Sequence, residues 1–122
     1  MFIKSLALAA LTTATLAVAA PAEAITRCGG SSHYGVGDGY GWRTTASGRP
    51  MDPYANMTAH RSLPFGTKLK VTNQSNGKSV VVTVLDRGPF VAGRVLDLSY
   101  GAFSRIASPS SGVADVCYTR LS

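Results

Sequence analysis

Ser79-Val80-Val81-Val82-Thr83-Val84-Leu85, running straight into Asp86-Arg87-Gly88-Pro89, is the stretch that decides how this chain folds. β-Branched side chains are stiff and pack well on a pleated surface, so the Val-rich run predicts a strand. Its near-continuous apolar character predicts burial on both faces. Gly88-Pro89 then stops it sharply, because proline offers no N–H and fixes its own φ. Immediately upstream, Asn76-Gly77 is a strong hairpin signal. Before it, Thr67 to Thr72 alternates polar and apolar, the period of a half-buried strand. Downstream, Arg94 to Leu98 reads as another strand. Ser99 is placed to N-cap a short helix reaching Ile106 or Ala107, ahead of Pro109. Gly112 to Leu121 alternates again. Ile25 to Gly41 is rich in Gly and Ser and predicts irregular chain with at most one short edge strand. Short strands with one or two short helices amount to a mainly β fold, a small barrel with crossing connections.

The first residues address the chain out of the cytoplasm. Met1 to Lys4 is a short positive start, Ser5 to Ala20 is apolar, and Pro21-Ala22-Glu23-Ala24 puts small residues where signal peptidase reads. Residues 1–24 are therefore expected to be a cleaved signal peptide and residues 25–122 one domain. The apolar run falls short of the ~20 residues that a spanning helix needs. Arg27, directly before Cys28, spoils a lipoprotein start. The expected product is an exported, soluble monomer, periplasmic or extracellular, with no stable membrane anchor. Cys28 and Cys117 are the only cysteines, and in an oxidising compartment they are expected to pair. Closing so long a loop stabilises by ~4 kcal/mol in the chain-entropy model.

The chain carries a formal charge of +6, and loss of Lys4 and Glu23 leaves that balance unchanged. Basicity in an exported domain favours anionic partners at a wall or membrane surface. The cations are spread singly and carry no nucleic-acid motif, so a nucleic-acid partner is not expected. Two histidines on unrelated segments, His33 and His60, do not make a metal site, and no cofactor motif is present.

Thr45-Ala46-Ser47-Gly48, Thr58-Ala59-His60-Arg61-Ser62-Leu63-Pro64-Phe65-Gly66-Thr67, Asp86-Arg87-Gly88-Pro89-Phe90 and Gly93-Arg94-Val95-Leu96-Asp97-Leu98-Ser99 form an ordered set. In that order and spacing the chain resembles the RlpA-like family from about Tyr34 to its C-terminus. The resemblance implies a six-stranded double-psi β-barrel, a fold similar to that of expansins, family 45 glycoside hydrolases and MltA-type lytic transglycosylases. It further implies a lytic transglycosylase acting on peptidoglycan glycan strands, preferring those poor in stem peptides. Such an enzyme cleaves the bond between N-acetylmuramic acid and N-acetylglucosamine and leaves a 1,6-anhydro end.

That reaction consumes no water. One carboxyl group can protonate the leaving oxygen and then accept the proton of the attacking C6 hydroxyl, which relaxes the usual demand for two carboxylates. Asp86, at a strand end beside a tight turn, is one candidate acid; capping of its own turn is the bland alternative. Asp97, between Leu96 and Leu98, is the other, and the resemblance places it where expansins and MltA-type enzymes carry their essential acid. Its bland alternative is a bond to the helix start near Ser99. His60 is a candidate partner, by a hydrogen bond to a carboxylate or a sugar hydroxyl. Tyr34 and Trp42, with Tyr40, are candidate stacking platforms for sugar C–H faces. Arg87 is a candidate for steering an anionic group.

One position departs from the family. After Thr45-Ala46-Ser47-Gly48 active members typically carry Glu, whereas this chain has Arg49 in the candidate substrate groove. A fixed cation there lowers the pKa of a nearby Asp, which is wrong for a general acid. Asp52 lies three residues on. The alternative function is therefore a non-catalytic, expansin-like module that binds and loosens cell-wall glycan. An exported interaction protein is a third, weaker class.

Overall fold

In the computed structural model, which describes residues 25–122, the chain runs β1 (Thr26–Tyr34), β2 (Met57–Ala59), β3 (Lys68–Asn73), β4 (Ser79–Asp86), β5 (Arg94–Ser99), α1 (Tyr100–Ile106), a 3-10 turn (Pro109–Ser111) and β6 (Ala114–Arg120). The signal segment expected over residues 1–24 lies outside the described residues. No helix among the described residues is long and apolar enough to cross a membrane.

The six strands close into a barrel in the order β1-β5-β2-β4-β3-β6, with β6 pairing back onto β1. β1–β5 and β2–β4 pair in parallel; the other four pairs are antiparallel. This is the double-psi β-barrel. The core is filled by Leu69, Val71, Val82, Val84, Leu96, Leu98 and Val116, and α1 closes it with Ala102, Phe103 and Ile106. Each fully buried large side chain contributes roughly 1.5–3 kcal/mol. Ser99 caps α1 as expected: its Oγ accepts from Ala102 N at 3.2 Å and donates to the Ala55 carbonyl.

The expected hairpin joins β3 to β4. Gly77 takes φ +76°, a conformation that only glycine adopts without penalty. Asn73 and Asn76 both donate to the Ile106 carbonyl, at 2.8 and 2.9 Å, tying this hairpin to the C-terminal end of α1. Cys28 and Cys117 are directly opposed on β1 and β6 and form the expected disulfide.

Two expectations are corrected, and one strand is added. β4 is not buried on both faces: Val80, Val82 and Val84 face the core, whereas Val81 is half-exposed on the outer wall. A closed barrel has only one inside, so even a run of valines alternates. The Gly/Ser-rich start is irregular only from Gly35 to Gly41; what precedes Gly35 is neither short nor at an edge. It is a nine-residue strand hydrogen-bonded on both sides. Gly29 is there because a Cβ would lie 2.6 Å from Val95 Cγ1, a close approach that side chains forbid. Thr58-Ala59, read only as part of a motif, lies in Met57–Ala59, a fully buried strand between β4 and β5.

Candidate active site

Asp86 and Asp97 meet at one groove of about 360 Å³, lined also by Ser32, Tyr34, Tyr40, Arg87, Phe90 and Arg94. The barrel brings them together from different strands. Asp86 ends β4, and Asp97 stands opposite Ser32 on the β1–β5 pair. Leu96 and Leu98 fill the core, so the pleat turns Asp97 outward between them.

The two carboxyl groups are held differently. Asp86 Oδ2 accepts from Tyr34 Oη at 2.8 Å, and Oδ1 accepts from Ala46 N at 3.0 Å and Arg87 N at 2.9 Å. Three converging donors fix its rotamer and suit a carboxylate. Asp97 accepts from Ser32 Oγ at 3.0 Å. Burial pushes the Asp97 pKa above the usual carboxylate range; the Ser32 bond and the charges of Arg94 and His33 oppose this, and Asp38 adds to it. Tyr34, buried and bonded to Asp86, has its phenol pKa pushed far above the ordinary value. It therefore stays a donor.

The remaining sequence candidates are dispersed. The His60 ring turns away from both carboxyl groups. Its Nδ1 accepts from Ser62 N and Leu63 N, both at 3.0 Å, and its Nε2 meets Tyr118 Oη at 2.7 Å. His60 bears on the groove only through its backbone. Its N–H donates to the Asp86 carbonyl, and its own carbonyl accepts from Arg87. Arg87 lines the groove, yet its guanidinium donates to the His60 and Leu63 carbonyls and lies 4.0 Å from the Phe65 ring centroid. Those bonds occupy the group expected to steer an anion; Arg94, more than His33, is the positive charge that acts on Asp97.

Trp42 is 64% exposed, at φ +65°, and lies outside the groove lining. Tyr34 serves through its hydroxyl. Tyr40 and the 79%-exposed Phe90 are the aromatic faces that flank the groove. Arg49 is exposed, and among the described residues no hydrogen bond links its side chain to Asp86 or Asp97. Its loop is nonetheless docked on the site, because Ala46 N bonds Asp86 and Ser47 N bonds the Leu85 carbonyl. Asp52 caps its own turn at Tyr54 N.

Sequence reasoning missed Ser32, Asp38, Phe90 and Arg94. Ser32 was hidden in a segment expected to be irregular. Asp38 accepts from Gly35 N and Tyr40 N, shaping the loop that carries Tyr40 over the groove. Phe90-Val91 carried a signal: two apolar residues directly after a Gly-Pro stop have no strand to bury them.

Among the described residues no cluster of His, Cys, Asp or Glu is arranged to hold a metal ion. A carboxyl group raised by burial, beside a second one fixed by three donors in an open groove, is equipped for proton transfer to and from a ligand bound there.

Comparison with known proteins places the fold in a family. A family model described as lytic transglycolase matches residues 26–118. The probable endolytic peptidoglycan transglycosylase RlpA of Nostoc sp. is 56% identical over 86 residues, covering 70% of this chain and 23% of that protein. The endolytic peptidoglycan transglycosylase RlpA of Vibrio cholerae is 43% identical over 94 residues, covering 77% of this chain and 35% of its own length. The chain thus spans about a third or less of these two curated relatives. Among solved structures, apo expansin of Clavibacter michiganensis is similar at TM-score 0.62 and 28% identity, over 80% of this chain and 51% of that one. The Streptomyces papain inhibitor shares the fold at TM-score 0.65 and 21% identity, over 80% and 96% of the two chains. Matched over nearly all of its described length, the chain belongs to the RlpA-like double-psi β-barrel family.

Proposed function

We propose that this protein is a peptidoglycan lytic transglycosylase that cleaves between N-acetylmuramic acid and N-acetylglucosamine, on glycan strands poor in stem peptides. The observation that carries the reading is the unequal pair in one groove: Asp97 raised by burial, Asp86 pinned by Tyr34, Ala46 N and Arg87 N. Asp97 is the general acid. It gives its proton to the glycosidic oxygen as the C1–O bond breaks. It then takes the proton of the muramic acid C6 hydroxyl as O6 bonds to C1, so one group serves both steps and no water is consumed. Asp86, with Tyr34 as its donor, places negative charge beside the sugar cation that develops at C1. Ser32 orients Asp97, and Tyr40 and Phe90 offer faces to the sugar rings. His60 is a positioning residue: its ring holds the Ser62-Leu63 turn and its backbone braces Asp86 and Arg87. Work on the wall places the protein outside the cytoplasm, where the Cys28–Cys117 bond forms.

The relatives named as peptidoglycan transglycosylases support this reading. The likeness to a Clavibacter expansin structure, also described in complex with cellohexaose, favours the second reading, a barrel that binds glycan without cutting it. Arg49 in place of Glu favours it too. The deciding experiment is mass spectrometry of soluble products from peptide-free glycan strands. Anhydro-ended fragments that vanish with Asp97→Asn establish the enzyme; bound glycan with no fragments from the wild type establishes the binding module.

A further inference from the structure

A second cavity, of about 380 Å³, opens where β1 begins and β6 ends, lined by Ile25, Arg27, His60, Ser62, Leu63, Tyr118 and Arg120. None of Asp86, Asp97 or Tyr34 reaches it. Its wiring follows from His60. Because Nδ1 accepts two backbone N–H groups, it carries no proton, so in the neutral ring the proton sits on Nε2. Burial and the charges of Arg87 and Arg61 push the imidazole pKa down, which keeps the ring in that neutral form. Nε2–H therefore donates to Tyr118 Oη, and the Tyr118 hydroxyl must send its own proton elsewhere. Among the described residues that proton has no acceptor. Yet Tyr118 is only 8% exposed, and burial holds its phenol pKa above the ordinary value. A buried donor without a partner is costly unless something arrives to accept from it.

The surroundings say what arrives. Arg27 is the cross-strand partner of Tyr118, and Arg120 lies two residues along β6, on the same face. Arg27 has no side-chain hydrogen bond among the described residues, and Arg120 donates only from Nε, to the main-chain oxygen of Ser122, the last residue of the sequence, which leaves its two terminal nitrogens for a ligand. No carboxylate lines the cavity, while Ile25 and Leu63 supply an apolar wall. Arg61, nearby, is committed to the carbonyls of Pro89, Val91 and Arg94.

We propose that this mouth of the barrel is a receptor for an oxyanion borne on a short apolar or polyol chain, with Tyr118 Oη–H donating to it and Arg27 and Arg120 clamping its charge. A terminal carboxylate and a phosphate share that chemistry.

The test is a two-dimensional NMR titration of the disulfide-bonded protein at low salt. The probes are N-acetyl-alanyl-alanine, its uncharged C-terminal amide, and glycerol phosphate. Saturable shifts at Arg27, Ser62, Tyr118 and Arg120 with the free carboxylate, absent with the amide, identify a peptide C-terminus as the ligand class. The same shifts with glycerol phosphate alone identify a phosphate source. Either ligand binds about tenfold more weakly to Arg27→Gln and Arg120→Gln, whose exposed positions leave the fold intact, and to Tyr118→Phe. Binding of the amide as tight as that of the acid overturns the proposal. So does the absence of saturable shifts with both anions, or wild-type affinity in both arginine variants.

Discussion

Tyr34 Oη donates to Asp86 Oδ2 across 2.8 Å, so a residue of β1 fixes the carboxylate that ends β4, although the two strands are not neighbours in the barrel. Both residues line the groove. The bond makes the geometry of Asp86 depend on the first strand as well as on its own.

Tyr34→Phe removes that donor and keeps the ring. Loss of a hydrogen bond to a charged group costs about 1.5–3 kcal/mol. Expressed in the transition state, this lowers the rate of anhydro-end formation roughly 10- to 100-fold, with little change in glycan affinity. Timed product analysis and a glycan pull-down on the same variant check it. Affinity lost in parallel with rate assigns Tyr34 to binding.

Asp97→Asn separates activity from stability. Removing a general acid costs on the order of 10²- to 10⁴-fold in rate. The folded-state pKa of Asp97 is raised, mainly by burial, so its ionisation opposes folding. Its contribution to stability is fully present below the unfolded carboxylate range and is lost as pH rises through the folded value. The amide of the variant cannot ionise, so the variant melts higher than wild type at pH 7, and the gain shrinks on acidification. Thermal melts across pH 4–8 check the sign; a variant less stable at neutral pH contradicts it.

Arg94, three residues before Asp97 on β5, lowers the Asp97 pKa. Arg94→Gln therefore raises that pKa further. If Asp97 must be protonated to act, activity falls as pH rises through its value, and this alkaline limb moves to higher pH in the variant. A limb that stays in place, or moves to lower pH, removes Asp97 from the role of acid.

Reducing Cys28–Cys117, or replacing either cysteine by Ser, frees a long loop in the unfolded chain. The expected loss is ~4 kcal/mol. For a domain of this size that lowers Tm by roughly 15–30 °C. Melting with and without reductant measures it, and a shift of only a few degrees means the β1–β6 ladder closes the barrel unaided.

The sequence shows where strands lie when local chemistry suffices: alternation marks β3, Asn76-Gly77 marks the hairpin, Ser99 marks the helix start. β1 was illegible because its glycines are there for contact with Val95 and Gly93, partners far along the chain. Asp86 and Asp97 were both visible as candidates, but the contacts that set them apart, Tyr34 on Asp86 and Ser32 on Asp97, are made only when the barrel closes. His60 misled for the same reason. Its motif is easy to see, whereas the direction of its ring depends on Tyr118, at the other end of the sequence.

Cys28 and Cys117 join the first strand to the last, and Thr26 Oγ1 and Thr119 Oγ1 meet beside them at 3.0 Å. Any chain that leads into Thr26 or away from Arg120 leaves the barrel side by side. A pull applied to those two ends would reach the covalent bridge almost at once, and the barrel beyond it, with Ser32, Tyr34, Asp86 and Asp97, would be spared the tension. A barrel pulled at both ends therefore keeps its carboxyl groups in place.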